Sequence, residues 1–201
     1  MRTLRRLIHI PMLLLLLASC GSEDEAYPSI ITEFADMQAD STGVATTLTL
    51  DDGSVYTITN RLSRLEPGTR YRVVTGFTKE ADRATIYSLT GAWLLRDSTS
   101  APKADPTGIL SAWRAGNYIN LQLSPRTQDS RRQYWGFSTD SVTPHHAYLS
   151  LHHNQNGDPA SYSTTVYASL PVDSIKGIDK GDTITLSINT FKGTREWTMR
   201  K

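Results

Sequence analysis

Apolar and polar residues alternate over short stretches along most of the chain after residue 30. Between Val44 and Leu50, for example, Leu48 and Leu50 fall on one face and threonines on the other. Alternation with a period of two is typical of strands that bury one face. The pattern predicts strands over residues 30–37, 44–50, 55–59, 70–77, 83–89, 109–114, 118–123, 133–138, 147–153, 163–170, 183–190 and 195–199. No segment has the helical period that a parallel βαβ crossover needs, so the predicted fold class is all-β.

The alternation is interrupted once in the first half of the chain. Asn60 precedes leucines spaced three residues apart, at Leu62 and Leu65, which predicts one or two helical turns capped by the asparagine. Five strands with a short helix between the third and the fourth follow the order of an OB-fold barrel. The seven strands of the second half, separated by turn residues, predict a β-sandwich.

One stretch of unusual composition separates these two halves. Residues 98–106 consist mainly of small residues and include Pro102 and Pro106, which is typical of a linker. We therefore predict an OB-like barrel domain over residues 30–97, a linker over 98–107 and a β-sandwich domain over 108–201. Each domain is long enough for a small β core.

The first 19 residues have the pattern of an export signal. Three arginines precede an apolar stretch from Leu7 to Leu17, which is too short to cross a bilayer that needs ~20 residues. Leu17-Ala18-Ser19-Cys20 resembles the bacterial lipobox, and Cys20 is the only cysteine of the chain. We predict a lipoprotein signal peptide over residues 1–19 and lipidation of Cys20 by palmitate-like acyl chains. An ordinary signal peptide that contains a cysteine is the alternative.

The predicted tether, residues 20–29, begins with an acidic run. Ser22, Glu23, Asp24 and Glu25 resemble a tag that sends lipoproteins of some Gram-negative bacteria to the outer face of the outer membrane. The expected location is therefore the outer membrane, lipid-anchored and exposed at the cell surface. The periplasmic face is the alternative, and the acidic run is then a solvated tether.

Charge limits the possible partners. The chain has 21 basic and 20 acidic residues, for a formal charge of +1, and loss of three arginines with the signal peptide changes this to −2. A nucleic-acid-binding protein normally carries a basic stripe, and export removes this chain from nucleic acid, so no nucleic-acid partner is expected. The expected partners are the membrane, through the lipid anchor, and an unknown protein or glycan.

Two pairs of histidines are weak candidates for a metal site: His145 with His146, and His152 with His153. Neighbouring residues of a strand point to opposite faces, so at most one residue of the second pair would join a given site. The first pair follows a proline and has the sequence of a solvated turn. The run from Asn154 to Asp158 lacks the glycine position and the final carboxylate of an EF-hand, so we interpret it as a hairpin loop.

Motifs for catalysis are missing from the sequence. It contains no nucleophile elbow, no phosphate-binding glycine loop and no His-Glu-x-x-His segment, and no cysteine remains for thiol chemistry once Cys20 is acylated. We expect no catalytic residues, no cofactor and a non-enzymatic protein. A divergent metal-dependent hydrolase of the envelope that uses the histidine pairs is the alternative.

The tryptophans allow two interpretations. In one interpretation, they form an exposed recognition patch with nearby tyrosine and phenylalanine. The alternation from Gln133 to Ser138 instead places Trp135 and Phe137 on one face, as in an inward row. We therefore expect these residues to lie mainly in the core.

Taken together, the lipobox, the OB-like half and the sandwich half resemble the NigD-like lipoproteins. The most characteristic segment runs from Leu149 to Asp158 and continues through Tyr162-Ser163 to Tyr167, with family-like turns at Gly116–Leu121 and Gly181–Thr183. The family is named after a bacteriocin operon, so the resemblance implies a role in immunity or export. Cys20 is the one functional residue that it carries over.

Overall fold

A computed structural model describes residues 28–98 and 103–201 of the chain. The predicted signal peptide, Cys20 and the acidic run from Ser22 to Glu25 lie outside these residues, as do residues 99–102 of the predicted linker. Within the two described ranges, no helix is long and apolar enough to span a membrane.

The first five strands form a closed barrel. They are β1 (Ile31–Ala39), β2 (Ala45–Leu50), β3 (Val55–Ile58), β4 (Arg70–Glu80) and β5 (Arg83–Gly91). Their order around the barrel is β1-β2-β3-β5-β4, with β1 returning to β4, and a short parallel pairing of β3 with β5 at Thr57 and Ile58 closes it. This is the strand order of an OB-fold, so the predicted barrel is confirmed. Its core contains Phe77, Met37 and Leu48.

The predicted helical turns after Asn60 are wrong. Residues 59–69 form no helix, and Arg64 has a left-handed φ of 68°. The segment instead runs beside the β1–β2 turn: Ala45 N–H donates to the Leu62 carbonyl, and Leu65 N–H donates to the Gly43 carbonyl. Asn60 binds both backbone groups of Ile86 with its side-chain amide and so extends the edge of β5. Tertiary pairing of the backbone replaces the local helical bonds that the leucine spacing predicts.

The second half is a sandwich of two four-stranded sheets with a short ribbon at one end. One sheet has the order β6-β13-β8-β7, the other β10-β11-β14-β15, and the ribbon pairs β12 with β9. The strands are β6 (Trp93–Leu94), β7 (Gly108–Ala115), β8 (Tyr118–Ser124), β9 (Arg126–Thr127), β10 (Tyr134–Thr143), β11 (His146–Asn154), β12 (Tyr162–Ser163), β13 (Val166–Pro171), β14 (Thr183–Thr190) and β15 (Gly193–Arg200). All seven predicted strands are present. The sheets contain an eighth, β6, which was too short to show alternation.

The chain enters the sandwich before the predicted linker. Ala92 alone separates β5 from β6, and β6 pairs in parallel with β13. The described part of residues 98–107 lies along the second sheet: Ser98 N–H donates to the Phe137 carbonyl, and His153 N–H donates to the Lys103 carbonyl. The described residues of this segment therefore bond to the second sheet, although β6 before it and β7 after it both belong to the first sheet.

The sandwich core lies between the inner faces of the two sheets. Phe137, Leu121, Leu149 and Leu186 are fully buried there. Trp135 belongs to the same cluster, which confirms the expected inward row. Trp93 and Trp113 depart from that expectation, since both are more than one-third exposed at strands near the sheet edge.

Candidate functional site

Loops from several strands meet at one end of the sandwich. We call this region the loop end and define it as residues 125–133, 154–164 and 190–193. Exposed aromatic side chains surround it at Tyr134, Tyr162 and Phe191. A cavity of about 170 Å³ lies beside Phe191 and is also lined by Thr107, Ile109, Lys192 and Arg195.

The carboxylate of Asp158 fixes the loop end from inside. Asp158 is 3% exposed. Its Oδ2 accepts hydrogen bonds from the Thr127 hydroxyl and from Gln133 Nε2 at 2.8 Å. Its Oδ1 accepts from the backbone N–H groups of Gln128 at 3.1 Å and Asp129 at 3.0 Å. Burial opposes ionisation of this carboxyl, but these hydrogen bonds outweigh burial and lower its pKa to about 2.

A second layer of polar groups extends this network into the sheet. Gln133 also donates to the Arg126 carbonyl at 3.1 Å, which turns its Oε1 toward His153 Nε2 at 2.9 Å. His153 Nδ1 lies 3.0 Å from the Asp105 carbonyl. Both ring nitrogens thus face oxygen acceptors, and a neutral ring has a proton for only one of them. Burial lowers the pKa of the His153 imidazole, while the Asp105 carbonyl raises it.

The backbone of the Asn154–Asp158 segment explains its sequence. Asn156 and Gly157 have φ values of 51° and 71°, a conformation that Asn and Gly tolerate best. The prediction of a loop whose residues tolerate a positive φ is confirmed, but the loop is not a hairpin, because β11 pairs with β10 and β14 whereas β12 pairs with β9. Sequence reasoning treated its aspartate as a solvated turn residue, whereas Asp158 is the buried centre of the network. The hydrogen-bond donors come from a segment about 30 residues away, so no local pattern reveals them.

A buried arginine joins the barrel to the sandwich. Arg72 of β4 donates from Nε to Ser169 Oγ at 2.9 Å and from Nη2 to Asn120 Oδ1 at 3.0 Å. Its two terminal nitrogens each lie 2.7 Å from one carboxylate oxygen of Asp51. The guanidinium also lies 3.8 Å from the centre of the Tyr118 ring. One barrel side chain thus binds two strands of the sandwich.

Further contacts surround this arginine. Asp36 pairs with Arg70 and accepts from the Tyr118 hydroxyl at 3.0 Å, and Asn120 donates to Asp51 at 2.6 Å. Phe34 packs edge-on against the rings of Trp113 and Tyr167. The family-like turn that starts at Gly116 therefore supplies part of the sandwich side of the contact between the domains, through Tyr118 and Asn120. The sequence identified the turn but not this role.

The four candidate histidines occupy separate structural positions. His145 lies in a turn, with Nδ1 2.8 Å from Asp182 Oδ1, and His146 opens β11, with Nε2 2.9 Å from the Thr185 hydroxyl. His152 and His153 are consecutive in β11 and so point to opposite faces. Across residues 28–98 and 103–201, no three His, Cys, Asp or Glu side chains are grouped so that they could hold a metal ion.

These features define a class: a two-domain all-β protein in which an OB-type barrel docks through a buried arginine on a β-sandwich. Residues 94–200 match the family model of the NigD-like C-terminal beta sandwich domain, and the chain belongs to the NigD-like family. The match begins at β6, where the structure also begins the sandwich. No curated protein matches the chain.

Solved structures share the whole fold. A NigD-like immunity protein from Bacteroides caccae is 24% identical, with a TM-score of 0.64 over 85% of this chain and 93% of that chain. A candidate toxin-related protein from Parabacteroides distasonis is 17% identical, with a TM-score of 0.71 over 86% and 93%. A candidate lipoprotein from Bacteroides fragilis is 13% identical, with a TM-score of 0.63 over 86% and 97%. At these identities the likeness establishes the fold.

Acid is expected to destabilise the loop end through Asp158. Because the folded pKa of about 2 lies below the ordinary value of 3.8, the ionised carboxylate stabilises the fold fully above pH 3.8. This contribution is lost as the pH falls from 3.8 toward 2. In Asp158→Asn, one of the two accepting oxygens becomes an NH2 group that faces hydrogen-bond donors. At pH 7 we therefore expect a Tm lower by about 5 °C or more. Scanning calorimetry from pH 2 to 7 measures both effects.

The matched control is Asp129→Asn. Asp129 has a lowered pKa through its bonds to the Arg131 side chain and backbone, but it lies at the surface. Its replacement should leave the Tm at pH 7 nearly unchanged. Hydrogen exchange should show faster exchange at residues 126–129 in the Asp158 variant alone. Parallel acid profiles for wild type and Asp158→Asn would show that another group controls the acid transition.

Proposed function

We propose that this protein is a non-enzymatic lipoprotein that presents the loop end of its sandwich to a macromolecular partner at the outer membrane. The observation that carries the proposal is the buried network of Asp158, Gln133 and His153. The carboxylate, amide and imidazole of this network hold the loops at residues 125–133 and 154–164 in place before any partner arrives, as in a binding scaffold. Preorganised loops lose little conformational entropy on binding.

The surface chemistry of the loop end supports a binding role. Exposed Tyr134 and Tyr162 offer large, rigid contact areas. The Tyr162 hydroxyl and the Asn156 amide are held in place by hydrogen bonds to the Gln128 and Arg132 carbonyls. Tyrosine and asparagine on fixed loops are the residues that antibody paratopes use. Support for an immunity role comes from the NigD-like immunity protein that shares the fold. The partner we propose is therefore a bacteriocin, another envelope protein or a glycan.

The anchor is proposed from the sequence. Cys20 follows Leu17-Ala18-Ser19 at the position that a lipobox requires. Two or three acyl chains, at ~0.8 kcal/mol per buried methylene, hold a protein on a membrane almost permanently. The acidic run from Ser22 to Glu25 supports export to the cell surface, with the periplasmic face as the alternative.

Replacing the cysteine provides the test of anchoring. Cells fed an alkyne analogue of palmitate should label the wild-type protein, and Cys20→Ser should abolish both the label and recovery in the membrane fraction. Ser19→Gly is the matched control, because a small residue before the cysteine keeps the lipobox pattern and the label. A Cys20→Ser protein that remains labelled would contradict the proposed anchor.

Surface exposure and partner binding need separate measurements. Protease added to intact cells should degrade the protein, whereas degradation only after the outer membrane is opened would place it on the periplasmic face.

For the partner, photo-crosslinkers at Tyr134 and Tyr162 should give adducts, and one at the exposed Val55 of the barrel should not. Crosslinks from Val55 alone would place the binding surface on the barrel.

A further inference from the structure

Charge is unevenly distributed over the sandwich, and the loop end is basic. The exposed basic residues at or beside it are Lys103, Arg126, Arg131, Arg132, Lys192 and Arg195. The carboxylates in the same region are fewer: Asp158 is buried in its own network, Asp129 is paired with Arg131, Asp105 accepts a hydrogen bond from the Gln155 backbone N–H, and Glu196 follows Arg195. Among the described residues, Arg132, Lys192 and Arg195 form no ion pair with a carboxylate. This positive surface contrasts with the charge of −2 expected for the chain from Cys20 onward.

The cavity at the loop end lies within this positive surface. Lys192 and Arg195 line it together with the hydroxyl-bearing Thr107 and Thr190. Arg126 adds its charge at the rim, where its guanidinium lies 4.8 Å from the centre of the exposed Phe191 ring. A cationic surface with an exposed aromatic ring suits phosphate-bearing headgroups above an apolar layer.

The strand directions place the start of the barrel on this same side of the molecule. Strand β5 continues into β6 after Ala92, and β6 runs parallel to β13, which begins at the loop end. Strands β1 and β5 are both antiparallel to β4, so β1 runs in the same direction as β5 and starts toward the loop end. The contact of Phe34, near the start of β1, with Tyr167, near the start of β13, agrees with this direction.

The chain between Cys20 and the fold is short. Seven residues lie between Cys20 and Pro28, the first described residue, and the eight steps from one to the other span at most ~3.6 Å each in a fully extended chain, or about 29 Å. An anchor at Cys20 therefore keeps the start of β1 near the membrane. When the start of β1 faces the headgroups, the loop end, on the same side, is the part of the sandwich that faces them.

We propose that the basic loop end docks on the anionic, phosphate-bearing lipid surface to which Cys20 is anchored, which orients the sandwich on the membrane. This inference rests on the proposed lipid anchor. Each basic residue close to an anionic surface strengthens the association by roughly fivefold, and salt weakens it within a Debye length of ~10 Å. The docked orientation places the loop end at the headgroups, so the partner proposed for the loop end is one that lies in or on the same membrane. The opposite end, with the β10–β11 and β7–β8 turns, faces away from the membrane.

The test measures which end of the anchored protein lies at the headgroups. Because Cys20 is acylated, Ser161→Cys at the loop end and Thr143→Cys at the opposite end each supply a single free thiol for a fluorophore. The anchored protein is placed in phosphatidylcholine vesicles with and without phosphatidylglycerol, together with a headgroup-attached quencher. We expect the Ser161→Cys label to be quenched roughly threefold more than the Thr143→Cys label on phosphatidylglycerol, and less so in high salt. Equal quenching, or stronger quenching at residue 143, would overturn the proposal.

Charge-reversal variants identify the responsible surface. Arg132→Glu, Lys192→Glu and Arg195→Glu together should remove the excess quenching at residue 161, while the contact of Arg126 with Phe191 is kept. Lys176→Glu with Lys180→Glu, at exposed positions of the opposite end, is the control and should leave the excess unchanged. An excess that survives the triple reversal would overturn the charge-based docking. Mass spectrometry of Cys20 in the same preparation separates a failed anchor, which refutes the proposed function, from a failed orientation.

Discussion

Replacement of Arg72 by methionine is expected to lower the free energy of unfolding by about 3–5 kcal/mol. The Arg72 side chain is 1% exposed, and its removal leaves the carboxylate of Asp51 without its paired arginine and that of Asp36 with the exposed Arg70 alone. Methionine keeps an apolar stem beside the rings of Phe34 and Tyr118, so the loss measures charge and hydrogen bonding more than volume. Urea denaturation followed by tryptophan fluorescence gives the free energy, and Trp113 at the interface reports separation of the domains.

Arg70 provides the matched control for this prediction. It pairs with the same carboxylate, Asp36, but its side chain is 61% exposed. Arg70→Met should therefore cost less than about 1 kcal/mol, as expected for a surface ion pair. Adding Asp36→Asn and Asp51→Asn to Arg72→Met should recover part of the lost stability by removing the uncompensated charge. Equal effects of the Arg70 and Arg72 replacements would show that the buried contact does not hold the domains together.

The contact at Arg72 connects the fold to the proposed function. The anchored barrel can orient the sandwich on the membrane only if the two domains move as one body. The Arg72 contact provides this connection, because it binds β4 of the barrel to β8 and β13 of the sandwich. Loss of this contact should therefore reduce the difference in quenching between residues 161 and 143, even while Cys20 remains acylated. Stability and orientation are expected to change together.

The strands were predictable because their signal is local. Alternation over stretches such as Val44–Leu50 and Thr183–Thr190 follows from burial of one face of a strand, which any sheet imposes. The helix prediction after Asn60 failed because its leucine spacing describes a local preference, whereas the backbone of Leu62 and Leu65 pairs with the distant β1–β2 turn. Strand β6, with two residues, is too short for any period.

The candidate site was less predictable than the fold. The segment that ends at Asp158 stood out by family resemblance and was correctly interpreted as a loop, yet its buried carboxylate depends on donors from Thr127 to Gln133. Arg72 lies in a strand with alternating residues and resembles any outward-facing charge in the sequence. Only the packing of two domains reveals that this outward face is covered. Polar groups that pair across long stretches of the chain produce no periodic pattern in the sequence, so these contacts could not be predicted from it.

Gly116→Ala is expected to destabilise the protein by about 3 kcal/mol and to loosen the contact between the domains. Gly116 has a φ of 49°, and a Cβ atom at this position would lie 1.9 Å from the backbone carbonyl oxygen of Asp51. Backbone atoms of a tight turn have little freedom to move away, so the hairpin tip between β7 and β8 must shift. That shift withdraws Tyr118 and Asn120, which bind Asp36 and Asp51. Urea denaturation and Trp113 fluorescence measure both consequences.

Gly53→Ala distinguishes the backbone strain of a positive φ from the steric collision that an added Cβ atom causes at Gly116. Gly53 has a φ of 88°, but a Cβ atom there meets no atom within 4 Å, so its replacement should cost only the ~1–2 kcal/mol of a left-handed residue. Equal losses for Gly53→Ala and Gly116→Ala would show that the hairpin tip does not rest on Asp51.

Because Gly116→Ala and Arg72→Met disrupt the same interface, the double variant should lose less than the sum of the two single losses. Additive losses would instead mean that the turn and the arginine hold the domains independently.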